Sequence, residues 1–513
     1  MTLDPAGALE RRAFLRSAAL VGGGLALTAG GGGAALAADG DIARIRKAAE
    51  ANREADIKRI QDWIALPSIA AENLNMPQGA AYMADLARAA GFAGVEIVPS
   101  DGHPGVFGTI DVGARRTLGI YFMYDVKQFD PAEWTSPPLE AKIVDKPGWG
   151  KAIVGRGAVN QKGPQATFLA ALHAMKAAGV KLPVNIVLLA EGEEEIGSPN
   201  FRQIATKPNV LAALRKCAGI FIPACWQGAN GEVQVNLGSK GIIELELVAS
   251  GAKWGRGPKG DVHSSYKAMI DSPTWRLVQA LQTLVSADGN NVVIGGWSDN
   301  VRPLTAREKA LIAEGAKSMD EAQMKASFGV THWIDDLPLE QALVRLAQEP
   351  TANIEGLVAG YTGPGGKTVL PGRAVAKLDF RLVPNQTRAE AEAKLRAHLD
   401  KHGFMDIEAN VSGGYDPTEV AEDSLLIKAE MAAYARLGVK ANLNPRLAGS
   451  WPGAVFTSPP VSIPAGHFGI GHGSAQHAPD EYFVVDSSNP KVAGITDATM
   501  GFVEMLYQMA AVR

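Results

Sequence analysis

Residues 119–134, GIYFMYDVKQFDPAEW, decide how the rest of the chain is read. The apolar run Thr117–Tyr124 stops at Asp125, and similar short runs recur at Gly94–Pro99, Val184–Leu189 and Ile220–Ile222. Between them the apolar positions take helical spacing. From Asp41 to about Ala65, Ile42, Ile45, Ile57, Ile60, Trp63 and Ile64 sit among charges, and Gln165–Ala178 reads the same way. Short apolar runs alternating with helices predict an α/β layer around a central, mostly parallel sheet, whose functional side chains lie at the carboxyl ends of its strands.

The texture changes after Gly238-Ser239-Lys240-Gly241. Ile242–Val248 alternates as a half-exposed strand and Lys377–Leu382 is another, with helices around Pro273–Val285, Pro303–Glu314 and Thr387–His402. The expected organisation is a catalytic domain in two pieces, 38–240 and 411–513, interrupted by an α+β lid or dimerisation domain over 241–410. The return to the first layer falls near Asn410–Tyr415, followed by a helix over Ser424–Leu437.

Of 513 residues, 46% are hydrophobic and 20% charged, an ordinary globular balance. The formal net charge of -4 leaves no basic footprint, so nucleic acid is not an expected partner. At the N-terminus Arg11-Arg12-Ala13-Phe14-Leu15 is a twin-arginine pattern. A Gly/Ala-rich apolar stretch and Ala35-Leu36-Ala37 follow, so residues 1–37 read as an export signal and the mature chain starts near Ala38. The expected location is periplasmic or secreted, with no membrane contact once the signal is removed. Cys217 and Cys225 are the only cysteines, and their spacing leaves open whether they pair.

Further motifs stand in order along the chain: GRGAVNQKG (Gly155–Gly163), EGEEEIGS (Glu191–Ser198), GSKG, DVHSS (Asp261–Ser265), KTVLP (Lys367–Pro371), FRLVPN (Phe380–Asn385) and HAPDE (His477–Glu481). With Tyr124-Asp125-Val126 they resemble the M20 metallopeptidases and amidohydrolases, the carnosinase and carboxypeptidase G2-like family. The resemblance implies a centre of two zinc ions held by a histidine, a bridging aspartate, a glutamate, a second aspartate and a C-terminal histidine. Carried over position by position, those places hold Met123, Asn160, Glu195, a site within Pro223-Ala224-Cys225 (Ala224 at the lost ligand) and His477. Only Glu195 and His477 keep a ligand side chain. A thioether and a neutral amide do not clamp a pair of hard dications, so the expectation is no metal, or one weakly held divalent ion, zinc by resemblance.

The resemblance also implies roles for other residues. Glu194 corresponds to the general base, and His263 to an oxyanion-stabilising residue that reaches the partner subunit's site. Arg381 corresponds to the residue that grips a substrate carboxylate, with Asn353 and Thr368 on the same substrate-holding surface. Asp125, left with no histidine to orient, is a relic or a newly exposed acid. His472 is a possible substitute ligand, and Cys225 is an inert buried thiol rather than a nucleophile. Adjacent acids without a metal push one pKa upward. The expected function is hydrolysis of an amide bond in a carboxylate-bearing amino acid derivative, a dipeptide or an N-acyl amino acid, by a homodimer with a degraded metal site. Two alternatives stand beside it: a metal-independent acid/base enzyme (isomerase, cyclase or acyl transfer) on an amino acid derivative, and a binding protein without catalysis.

Overall fold

The structure is a computed structural model that describes residues 39–513. The export signal expected at residues 1–37 lies outside the described residues. No helix among the described residues is long and apolar enough to cross a membrane.

The first sheet contains β1 (Ala93–Val98), β2 (Gly105–Ile110), β3 (Thr117–Met123), β4 (Asn185–Glu191) and β5 (Cys217–Pro223), in the order β1-β2-β4-β3-β5, with the late strand Ala465–Phe468 beyond β5. β4, β3, β5 and Ala465–Phe468 are parallel, while β1 and β2 form an antiparallel edge. Both faces are covered, which is why β3 and β4 read as unbroken apolar runs rather than alternating ones. Leu118, Ile120 and Phe122 point to one core with α1 (Asp39–Ile64), α2 (Met76–Ala90) and α3 (Lys162–Ala177). Tyr121, Leu189 and Ile220 point to the other, with Phe201, Trp451 and Phe456. α1 has no basic residue in its last turn, and the buried Lys162 serves there instead: its Nζ donates to the carbonyls of Trp63 (2.9 Å) and Leu66 (2.8 Å).

The second sheet is antiparallel throughout and contains β6 (Gly241–Ser250), β7 (Thr351–Ala359), β8 (Arg373–Leu382) and β9 (Glu408–Tyr415), in the order β7-β8-β6-β9. One face packs Leu245, Leu247, Leu378 and Phe380 against α4 (Pro273–Leu284) and α5 (Arg388–Lys401), a core separate from that of the first sheet. Its strands alternate because the other face is polar. β9 pairs with β6 as far as Tyr415, within the stretch where the return to the first layer is expected. One detail differs from the sequence reading. The helix expected from Pro303 begins at Ala306, because Thr305 and Glu308 close a capping box.

A third, antiparallel sheet was not anticipated. It joins Lys142–Lys146, Gly150–Val154, Tyr482–Ser487 and the short Gly473–Ser474 strand. By pairing Tyr482 with Val154 it sets the loop carrying Asn160 beside the loop carrying His477. α6 (Leu425–Arg436) and α7 (Ile495–Ala511) complete the helical cover of the first core.

Candidate active site

The carboxyl ends of β3 and β4 lie in register, Met123 beside Glu191, and the residues after them build the site. The backbone of Met123 is bracketed by Gln165: the Met123 N–H donates to Gln165 Oε1 (2.7 Å) and Gln165 Nε2 donates to the Met123 carbonyl (2.9 Å). That pairing fixes where the chain leaves the sheet. Asp125 is neither a relic nor an exposed acid, contrary to both expectations. It is buried, and its carboxylate accepts the backbone N–H groups of Glu194 (3.3 Å) and Glu195 (3.0 Å), holding the tight turn Glu194–Ile196. Burial and, next, the charge of Glu195 push its pKa up to about 8, against the backbone donors that lower it.

The acids of EGEEEIGS have separate tasks. Glu191 lies under the site and accepts from Tyr121 Oη (2.8 Å) and Ser198 Oγ (2.9 Å). Glu193 binds the loop around Asn200 and the His103 backbone N–H (2.9 Å). Glu195 accepts from Asn160 Nδ2 at Oε1 (2.7 Å). Glu194 is left over: among the described residues its carboxylate has no hydrogen-bond partner, although the Tyr415 hydroxyl donates to its backbone carbonyl (2.7 Å). Burial, then the charges of Glu195, Asp125 and Glu191, hold its pKa well above the ordinary carboxylate value, and Lys127 partly offsets them.

Asn160, Glu195 and His477 are brought together. His477 Nε2 lies 3.1 Å from Asn160 Nδ2 and 3.2 Å from Glu195 Oε2. The Lys127 ammonium donates to the Glu195 backbone carbonyl and stands 3.7 Å from the same Oε2, which has no hydrogen-bond partner of its own. Beneath them Glu481 locks the two loops together. Its oxygens accept from the backbone N–H groups of Gly157 (3.0 Å), Val159 (2.9 Å) and Asn160 (2.8 Å) and from Arg156 (2.8 Å), while Arg156 also donates to the His477 carbonyl (3.2 Å).

The remaining candidates form two further groups. His263 Nε2 meets Thr368 Oγ1 at 3.1 Å and Nδ1 meets Ser265 Oγ at 2.8 Å, on the exposed two-stranded pairing of Val262–His263 with Val369–Leu370. Arg381 and Asn353 converge on Asp379, through Arg381 Nε (3.2 Å) and Asn353 Nδ2 (2.9 Å), and Arg381 Nη1 reaches Ser450 Oγ across to the first layer (3.1 Å). Among the described residues no hydrogen bond or ion pair joins either group to Glu194. His472 does not stand in as a ligand. It is stacked on Trp149 at 3.4 Å, with Nδ1 on the Gln227 carbonyl (2.8 Å) and Nε2 on the Tyr482 hydroxyl (3.1 Å). Cys217 and Cys225 are unpaired and buried, and burial pushes both thiols up, Cys217 to about 12. Ala224 brings no ligand; its backbone N–H closes on Phe468 (2.9 Å).

Lys127, Arg156 and Glu481 escaped the sequence reading as participants. All three stand within or beside quoted motifs, but nothing in their spacing shows that the chain folds them onto Glu195 and onto each other.

A mixed sheet with a cluster of acids and amides at its carboxyl ends, beside a second antiparallel sheet, defines an α/β protein with a candidate acid/base site. The family description "Peptidase family M20/M25/M40" matches residues 122–500, and the chain belongs to that family. A Cys-Gly metallodipeptidase of Schizosaccharomyces pombe is 26% identical over 291 residues, covering 56% of this chain and 58% of that one. The Beta-Ala-His dipeptidase of Homo sapiens is 28% identical over 310 residues, covering 56% and 55%. The chain thus spans a little over half the length of these curated relatives. An M20 family metallo-carboxypeptidase from Sulfolobus solfataricus superposes with a TM-score of 0.78 at 30% identity, over 89% of this chain and 99% of that one.

Metal is a property of such relatives, so the donor set has to be tested against it. Among the described residues no group of three His, Cys, Asp or Glu side chains is placed to hold an ion. Glu195 and His477 are spaced as two ligands of one ion can be, but Asn160 presents N–H donors to both and Lys127 presents an ammonium. Two ligands facing donors and a fixed cation fall short of the three protein ligands of a catalytic zinc and do not fit a pair of dications.

Proposed function

We propose that the protein hydrolyses an amide bond in a small carboxylate-bearing amino acid derivative, a dipeptide or an N-acyl amino acid, with Glu194 as general base. The observation that carries this reading is the Glu194 carboxylate. It is the one acid of its turn without a hydrogen-bond partner among the described residues, and burial and neighbouring charge raise its pKa, which strengthens it as a base when ionised. Such a group takes a proton from water and returns it to a leaving nitrogen. The dipeptidase relatives support the substrate class, and Arg381, prepositioned by Asp379 and Ser450, has the planar fork suited to a carboxylate. Export by the twin-arginine route belongs to the same proposal and rests on the sequence of residues 1–37.

We further propose that the chain works as a homodimer. β7 is an edge strand of the second sheet and leaves Ile354, Leu357 and Val358 half exposed, an arrangement that invites pairing with a second copy. In a dimer His263, with Thr368, would be offered to the partner's site.

The Glu195–Asn160–His477 cluster favours a second reading, acid/base chemistry on an amino acid derivative without net hydrolysis. The deciding experiment is turnover of a dipeptide and N-acyl amino acid panel, with and without chelator, by wild type and Glu194→Gln, alongside ligand affinity. Hydrolysis lost in Glu194→Gln with affinity retained supports the proposal. Affinity without turnover in the wild type would leave a binding protein.

A further inference from the structure

We propose that Lys127 is a built-in cation, standing where a bound dication would otherwise sit beside Glu195 and presenting an N–H donor to the substrate carbonyl. The inference rests on the hydrolytic reading above. Its structural basis is separate: the buried Glu195 Oε2, which accepts no hydrogen bond although His477 Nε2 stands 3.2 Å away, and an ammonium held 3.7 Å from it.

A buried carboxylate oxygen that accepts no hydrogen bond is costly, and a fixed positive charge nearby offsets that cost. The Lys127 side chain keeps 31% of its exposure, so the ammonium sits at the mouth of the cluster and not beneath it. Its position is set by the hydrogen bond to the Glu195 backbone carbonyl, part of the turn that also carries Glu194 and that Asp125 pins from the other side. The cation is therefore anchored on the same short turn that carries the base and that Asp125 holds. An ammonium has three N–H donors. The Glu195 carbonyl takes one, Oε2 at 3.7 Å is beyond hydrogen-bond distance, and the others remain for an incoming oxygen.

In the hydrolytic step Glu194 removes a proton from water as the water oxygen bonds to the amide carbon. The carbonyl π pair moves to oxygen, and the Lys127 N–H donates to that oxyanion. When the pair returns, the C–N bond breaks and Glu194 delivers its proton to the departing nitrogen. Water and amide are consumed, acid and amine are released, and Lys127 is unchanged. A donor aimed at a developing oxyanion is worth about 10²–10³-fold in rate.

The test compares metal-stripped wild type, Lys127→Met and Lys127→Arg by calorimetric zinc titration, then by hydrolysis without metal. Removing the ammonium frees Glu195 Oε2 as a ligand, so zinc should bind Lys127→Met at least about tenfold tighter than wild type, a gain of about 1.4 kcal/mol, with Lys127→Arg like wild type. Misfolding does not produce tighter zinc binding, so this readout separates charge replacement from structural damage. In hydrolysis Lys127→Met should lose about 10²-fold in kcat and Lys127→Arg less than about tenfold. Equal zinc affinity in wild type and Lys127→Met, or stoichiometric micromolar zinc in wild type, overturns the inference. Absence of amide hydrolysis by wild type would instead overturn the proposed function, while the zinc comparison still decides on Lys127.

Discussion

Glu481 and Glu430 each have 0% exposure, one closing the loop that carries His477, the other midway along α6. Glu481 is surrounded by donors: three backbone N–H groups and the Arg156 guanidinium, itself buried. Neither oxygen of Glu430 has a hydrogen-bond partner, and burial alone holds its pKa well above the ordinary value. Burial raises the pKa of both carboxyl groups; their partners decide what each does. Glu481 is a carboxyl group around whose donors two loops are built, whereas Glu430 is a carboxyl group without donors in a hydrocarbon core, where burial favours its neutral form. A perturbed carboxyl is therefore a poor guide to function unless its donors and its access are known.

Glu194 sharpens the comparison, because it lacks side-chain donors as Glu430 does but is only partly buried. Glu194→Gln should lower kcat by about 10³–10⁴-fold with KM changed less than about threefold, read in steady-state kinetics on the best substrate of the panel. Wild-type turnover in that variant would make Glu194 no more functional than Glu430. Next in size is Glu481→Gln, which leaves the Arg156 charge buried without its counterion. Equilibrium unfolding in denaturant should show a loss of about 3–5 kcal/mol. A loss near zero would mean that the backbone donors suffice and that the ion pair does not organise the loops.

Much of the fold was legible because it is written in short-range pattern. The unbroken apolar runs of β3 and β4 and the helical spacing of α1 each follow from how one element meets its core. The third sheet was not legible, since Gly150–Val154 and Tyr482–Ser487 are far apart in sequence and neither carries a strong signal alone. The site divided in the same way. Motif positions put Asn160, Glu195 and His477 in one list, and they do meet. The ammonium beside them belongs to Lys127, whose significance is a matter of where its side chain ends rather than of sequence spacing. Asp125 was misjudged for a related reason: its partners are backbone N–H groups, which a sequence does not display.

Asp379 gives an intermediate case, a largely buried acid whose partners, Asn353 and Arg381, are themselves candidate substrate contacts. Replacing the planar fork with a point charge in Arg381→Lys should raise KM about tenfold, roughly 1.4 kcal/mol, and change kcat much less. A fall in kcat at constant KM would assign Arg381 to the reacting centre instead of to substrate grip.

The smallest effect tests the silent member of the pair. In the native state Glu430 keeps its proton at pH values where the unfolded chain has released it. Between its ordinary pKa and its raised native one the folded form therefore binds more protons, and the stability associated with Glu430 is complete at low pH and lost as pH rises. Glu430→Met removes the titrating group while keeping the length of the side chain. Its advantage over wild type in denaturant unfolding should be small near pH 5 and grow by about 1.4 kcal/mol per pH unit until the native carboxyl group ionises. A difference that stays constant across that range would mean that Glu430 has acquired a donor, such as an internal water, and resembles Glu481 after all.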